Sequence, residues 1–137
     1  MLRIALSATM VLLAGCAMTP EQTAREAAGD ARIDAKLEKR LAGYAPGEPR
    51  SCIQRTRTLD LSIFGDTLVY RDGRTLYVTR TSGGCFGLKR DDILVTRSFG
   101  SQMCSGEIIT TVDRTSSFPS GSCSFGEFVP YTRPRES

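Results

Sequence analysis

Four cysteines, Cys52, Cys85, Cys104 and Cys123, divide the C-terminal part of this 137-residue chain at intervals of 33, 19 and 19 residues. No two lie close enough for a zinc-ribbon pair or a Cys-x-x-Cys redox motif. An even set with wide spacing reads as two disulfides, provided the chain matures in an oxidising compartment. The segment that holds them leaves roughly 85 residues for a folded core. At that size burial alone gives marginal stability, and covalent bridges matter.

From about Arg50 helical periodicity disappears. Short runs of Thr, Val, Ile, Phe and Tyr alternate with Gly, Ser, Asp and Pro, which is all-β texture. The strongest local signal is Leu68-Val69-Tyr70-Arg71-Asp72-Gly73-Arg74-Thr75-Leu76-Tyr77-Val78, where Asp-Gly separates two apolar runs. An Asp72-Gly73 loop predicts Arg71 opposite Arg74 and Val69 opposite Leu76. Val69, Leu76 and Val78 then share one face, and Leu68, Tyr70 and Tyr77 the other. Both faces are partly apolar, so a helix or another strand layer should cover one of them. Further strands are expected at 53–63, 92–99, 107–113 and 126–131, with 116–122 as a Ser/Gly/Pro loop. The fold class expected is mainly β: a small antiparallel β-barrel or sandwich of about six strands with two disulfides, preceded by an α-helical tether.

Three disulfide pairings are open. In an up-and-down meander Cys52 starts the first strand and the hairpin carries Cys85 to the opposite end. The next two strands return Cys104 to the side of Cys52 and Cys123 to the side of Cys85. That favours Cys52–Cys104 with Cys85–Cys123. If the chain doubles back near Ile63-Phe64, Cys52–Cys123 with Cys85–Cys104 becomes the rival.

Ahead of the β segment, Thr19-Pro20-Glu21-Gln22 has the marks of a helix start: a capping Thr, Pro at the first position and Gln three residues after the cap. The helix should run to about Ala42 and stop at Gly43, with Pro46-Gly47 and Pro49 beyond. Its apolar stripe, Ile33, Leu37 and Leu41, is narrow. A solvated spacer, an edge docked on the β domain and a partner contact are all compatible with it.

The first residues carry an address. Met1-Leu2-Arg3 is a short basic start, and 4–13 is a mostly apolar stretch far shorter than the ~20 residues a membrane-spanning helix needs. It ends in Leu13-Ala14-Gly15-Cys16. This resembles the lipobox of bacterial lipoproteins, in which small residues admit a peptidase and the cysteine thiol carries a diacylglycerol. The resemblance implies lipidation of Cys16, with its new amine acylated as well. Two or more acyl chains anchor a protein stably where one does not. Ala17 after the cysteine implies the outer membrane, facing the periplasm. The motifs Cys52-Ile53, Asp66-Thr67-Leu68, Cys85-Phe86-Gly87-Leu88, Cys104-Ser105-Gly106-Glu107-Ile108 and Cys123-Ser124-Phe125-Gly126-Glu127-Phe128 resemble an uncharacterised family of small four-cysteine exported proteins of Gram-negative bacteria. That resemblance implies export, bridged cysteines and a single domain, and brings no activity with it.

The chain therefore divides into a lipoprotein signal peptide (1–15), a lipidated N-terminus and helical tether (16–49), a disulfide-bonded β domain (50–131) and a disordered tail (132–137). The net charge of +3 is spread over scattered Arg and Lys residues, so no nucleic-acid partner is expected. There is no His, which removes the commonest general base and metal ligand, and no cofactor, metal or catalytic residue is assigned. The expected role is a non-enzymatic binding or structural module, with the membrane as partner through Cys16 and an envelope protein or glycan as ligand. Tyr70 and Tyr77 are the candidate ligand contacts. The alternative is an inhibitor of a lytic enzyme or other hydrolase, inserting a loop at Ser82-Gly83-Gly84. A hydrolase would need a carboxylate pair, for which Glu107 and Glu127 are the candidates, entering strands from similar Cys-containing turns. Asp91-Asp92 beside Lys89-Arg90 reads as a solvated loop.

Overall fold

The structure, a computed structural model, describes residues 18–57 and 59–134. Helix α1 (Pro20–Leu41) starts where the sequence places it. The Gln22 N–H donates to Thr19 Oγ1 at 3.3 Å, and the Thr19 N–H donates to Gln22 Oε1 at 2.9 Å. The helix ends at Leu41, and Gly43, just past the cap at Ala42, has a φ of 80° that a side chain would disfavour. No helix among the described residues is long and apolar enough to cross a membrane.

Among the described residues ten strands follow: β1 (Ala45–Pro46), β2 (Cys52–Gln54), β3 (Asp60–Phe64), β4 (Thr67–Asp72), β5 (Thr75–Gly84), β6 (Ile93–Thr96), β7 (Gln102–Cys104), β8 (Ile108–Val112), β9 (Pro119–Phe125) and β10 (Val129–Thr132). A 3-10 turn, Phe86–Arg90, separates β5 from β6. Every pairing is antiparallel, so the protein is mainly β with an N-terminal helix and two disulfides. β5 organises the sheet. Its first part pairs with β4, and Leu76–Val78 also pair with β10; its last four residues pair with β9. One layer is therefore β3-β4-β5-β10-β1 and the other β5-β9-β8-β6, joined along one long strand, while β2 and β7 form a separate two-stranded sheet. Gly126 permits the step from β9 to β10: its N–H donates to the Arg80 carbonyl at 2.9 Å, and a Cβ there would stand 2.5 Å from that oxygen. Among the described residues no ladder joins β3 to β6, so the sheet does not close into a barrel.

The core lies between the layers. Leu68 and Tyr70 of β4 meet Ile109 of β8 and Phe125 of β9, with Phe128, Ile53, Met103 and Leu88 closing the ends. The opposite face of the first layer holds Val69 and Leu76, both nearly inaccessible, and α1 crosses that face. Ile33, Leu37 and Leu41 are half-buried: Ile33 lies over the Gly65 turn, and Leu37 and Leu41 border Val78 and Val129. Lys89 Nζ reaches Asp30 Oδ1 at 2.7 Å, and this hydrogen bond raises the lysine pKa above its ordinary value. The narrow stripe is thus a docking edge, while 20–28 stay exposed.

Several expectations about strands change. The hairpin turn is centred on Gly73-Arg74, so Asp72 pairs with Thr75, Arg71 with Leu76 and Val69 with Val78. Gly73, at φ 56°, takes the first central position, where the turn needs glycine. Each pairing moves by an even number, so every side chain keeps its expected face. The strand expected over 53–63 breaks into β2 and β3, which belong to different sheets. The stretch 116–122 contains the start of β9, because β8 offers ladder partners from Pro119 onward and β5 joins at Ser122, which overrides a sequence with weak strand preference. At the other end, Thr132 pairs with Ala45, and the Arg133 guanidinium sits 4.8 Å from the Tyr44 ring centroid, so order continues past 131.

Candidate functional site

The covalent frame comes first. Cys52 and Cys104 face each other across β2 and β7 and are bonded, with Cα atoms 4.0 Å apart. Ser51 and Arg55 bond to the strand opposite on either side, which leaves the 52/104 pair in a narrow, non-hydrogen-bonded position. Cys85 follows β5 and bonds to Cys123 of β9. Cys16, the proposed lipid carrier, lies outside the described residues.

Tyr70 and Tyr77 do not form an open patch. They are cross-strand partners on the inward face. Tyr70 is 5 % exposed, with its ring centroid 6.2 Å from that of Phe125 and 6.3 Å from that of Phe128; Tyr77 packs on the same cluster. Their face is the one the second layer covers. Burial raises the Tyr70 phenol well above its ordinary value of 10.0. A raised folded-state pKa gives stability that is intact below the unfolded value and is lost as pH rises through and beyond it. Above about pH 10, unfolding free energy should fall with a slope approaching 1.4 kcal/mol per pH unit, and Tyr70→Phe should flatten that fall. Urea titrations at several alkaline pH values check it. An unchanged slope in Tyr70→Phe would contradict the assignment.

Glu107 and Glu127 go different ways. Glu107 accepts the Ser98 hydroxyl at 2.8 Å, whereas Glu127 borders the groove beneath α1. The two similar segments do meet through their backbones, Gly106 N–H to the Phe125 carbonyl and Phe125 N–H to the Glu107 carbonyl. Ser82-Gly83-Gly84 is not a loop but the end of β5, paired residue by residue with Ser124, Cys123 and Ser122. Gly83 belongs there because a Cβ would approach Cys123 Cα to 3.3 Å.

Asp92 is not solvated. It is 5 % exposed beneath the 3-10 turn and accepts a short hydrogen bond from Ser120. Ser120 and Thr111 are 3.0 Å apart; Ser120 has one proton, so with that proton given to Asp92 the Thr111 hydroxyl donates to Ser120. Arg90 Nη2 is 3.9 Å from the carboxylate. Gly87 closes over the group, and a Cβ there would collide with Asp92. These three side chains, Asp92 and Thr111 buried and Ser120 half-buried, hold β6, β8 and β9 to the turn.

The arrangement that leaves groups facing solvent lies at the C-terminal end of α1. A cavity of about 550 Å³ is lined by Arg40, Tyr44, Asp60, Arg71, Arg74 and Arg133, with Gly73 at its rim. Arg71 contacts Asp60 at 3.5 Å, and Tyr44 holds Arg133 by ring stacking. Among the described residues, the ion pairs leave Arg40, Arg74 and Arg133 without a carboxylate partner. Four segments assemble it: the last turn of α1 with Tyr44 just beyond it, the start of β3, the β4–β5 hairpin and the residue after β10. No local spacing announces such a cluster. The one available signal is the hairpin itself, which brings Arg71 and Arg74 together. A second groove of about 670 Å³ runs between α1 and the sheet beside Asp30, Lys89 and the exposed Phe86 ring.

Compared with protein-family models, curated proteins and solved structures, the chain finds no match.

Proposed function

We propose that this chain is an envelope protein held on a membrane through lipid at Cys16, and that its β domain is a non-enzymatic binding module. The anchoring rests on Leu13-Ala14-Gly15-Cys16 at the end of a short apolar stretch. The four cysteines of the β domain pair with one another, which leaves the Cys16 sulfur for modification. The outer membrane, on its periplasmic side, is the proposed location, and an envelope component the proposed ligand. Binding suits the chemistry of the arginine-lined cavity. Guanidinium stays protonated at any physiological pH, so it holds charge and does not shuttle protons. Inhibition of a lytic enzyme loses the loop it rested on, since Ser82-Gly83-Gly84 is sheet.

Metabolic labelling with palmitate tests the anchor. The wild-type chain should take up label and sediment with membranes, and Cys16→Ser should do neither. A wild-type chain recovered unlabelled in the soluble fraction would overturn the proposal.

A further inference from the structure

We infer that the arginine cavity beside the C-terminal end of α1 is a binding site for a compact oxyanion with two or more negative charges, a phosphomonoester or diphosphate group. Four arginines and one aspartate line the cavity, a surplus of three positive charges around it. A single carboxylate ligand would leave most of that surplus in place. A phosphate group brings more charge and three acceptor oxygens, which match the planar donor forks of several arginines at once.

Two of the four side chains are already held. Asp60 braces Arg71, and the Tyr44 ring braces Arg133, so less side-chain freedom is lost when an anion arrives. Arg74 stands in the hairpin turn, and Arg40 is half-buried in the last turn of α1. The negative end of the helix dipole opposes an anion there. It amounts to about half a charge against a surplus of three, so the surplus dominates. The observed register matters as well. Gly73-Arg74 as the turn keeps Arg71 and Arg74 from facing each other across the ladder, yet leaves both lining the cavity.

The source of the phosphate is either a lipid headgroup or a soluble or wall-borne compound. The test is a titration of the purified full chain in neutral detergent micelles, following the arginine side-chain NMR signals. The probe is inorganic pyrophosphate. Saturable shifts of Arg71, Arg74 and Arg133 are expected, with affinity falling steeply as salt rises. Arg74→Gln and Arg133→Gln should each weaken binding about tenfold or more, as loss of a charged hydrogen bond implies. Arg114→Gln, whose side chain contacts Asp91 elsewhere, should bind as the wild type does. A parallel series adds phosphatidic acid to the micelles. Shifts with pyrophosphate alone support the site and a soluble or wall-borne ligand. Shifts in the same residues with phosphatidic acid, lost in Arg74→Gln, support the site and a headgroup. Absence of saturable shifts in both series, or equal weakening by Arg114→Gln, overturns the inference. The titration reads the cavity whether or not Cys16 is acylated, so its failure and that of palmitate labelling are separate results.

Discussion

Replacing Cys52 and Cys104 together by Ala should lower the unfolding free energy by about 4 kcal/mol, the loop-closure value for a crosslink this long. The bridge spans 52 residues, and the Cys85–Cys123 bridge spans 38, for which the same relation gives nearly as much. The folded state offers little to compensate. β2 and β7 have three residues each and pair only with one another as a sheet, and a two-stranded pair is at best marginal on its own. If they part, Ile53 and Met103, both nearly buried, open to water. A domain of this size typically holds about 5–10 kcal/mol in total, so loss of both bridges should leave it unfolded at ordinary temperature. Urea unfolding followed by far-UV circular dichroism measures this, since there is no Trp to report by fluorescence. A bridge-free chain with a wild-type midpoint would refute it. Intact mass under non-reducing conditions should be lower by two hydrogens for each bridge.

Phe128→Ala should cost about 3–5 kcal/mol. The ring is fully buried, 5.4 Å from Phe125 and 6.3 Å from Tyr70 between centroids. Its backbone exchanges hydrogen bonds with Arg50, which ties the approach to β2 against the corner between β9 and β10. The side chain therefore touches both layers, and a cavity there cannot be filled by one neighbour moving. Phe128→Leu should lose less than half as much, and Phe99→Ala should be nearly neutral because that ring is 99 % exposed. Thermal and urea midpoints for the three variants check the order. Equal losses at Phe128 and Phe99 would contradict the packing described.

The disulfide pairing expected from cysteine spacing is the one observed, but the chain reaches it by another route. A meander requires the first strand to run unbroken. Instead β3 turns back through Gly65-Asp66 onto β4, the condition that would have favoured the rival pairing. Cys52 meets Cys104 because β2 leaves the main sheet altogether, a non-local event that no window of sequence encodes. Local chemistry was legible where it decides the outcome locally: the Thr19 capping box, the stop at Gly43 and the two faces of the hairpin. β9 was not legible, because Pro119, Ser120, Gly121 and Ser122 have weak strand preference and are strand only through the ladder with β8, which β5 joins at Ser122. The face of Tyr70 was legible but not its cover. Whether a half-apolar face meets solvent or a second layer depends on β5 pairing in both layers, with partners far away in the chain. Asp92 looked solvated for the same reason, since Thr111 and Ser120 come from other strands. The arginine cavity unites positions 40, 71, 74 and 133, and only the docking of α1 along the sheet brings the first of them to the others.

The two covalent loops overlap, and this has a mechanical consequence. Every residue from Cys52 to Cys123 lies inside one loop or the other. Tension applied from the N-terminal side would peel α1 from the sheet and unzip β1 from β10, then meet Cys52. There the load passes through sulfur to Cys104, so a pull across the domain draws on the 19 residues from Cys104 to Cys123 and not on the whole stretch from Cys52. A domain wired in this way yields its helix to a pull, and most of the chain inside the bridges stays out of the line of force.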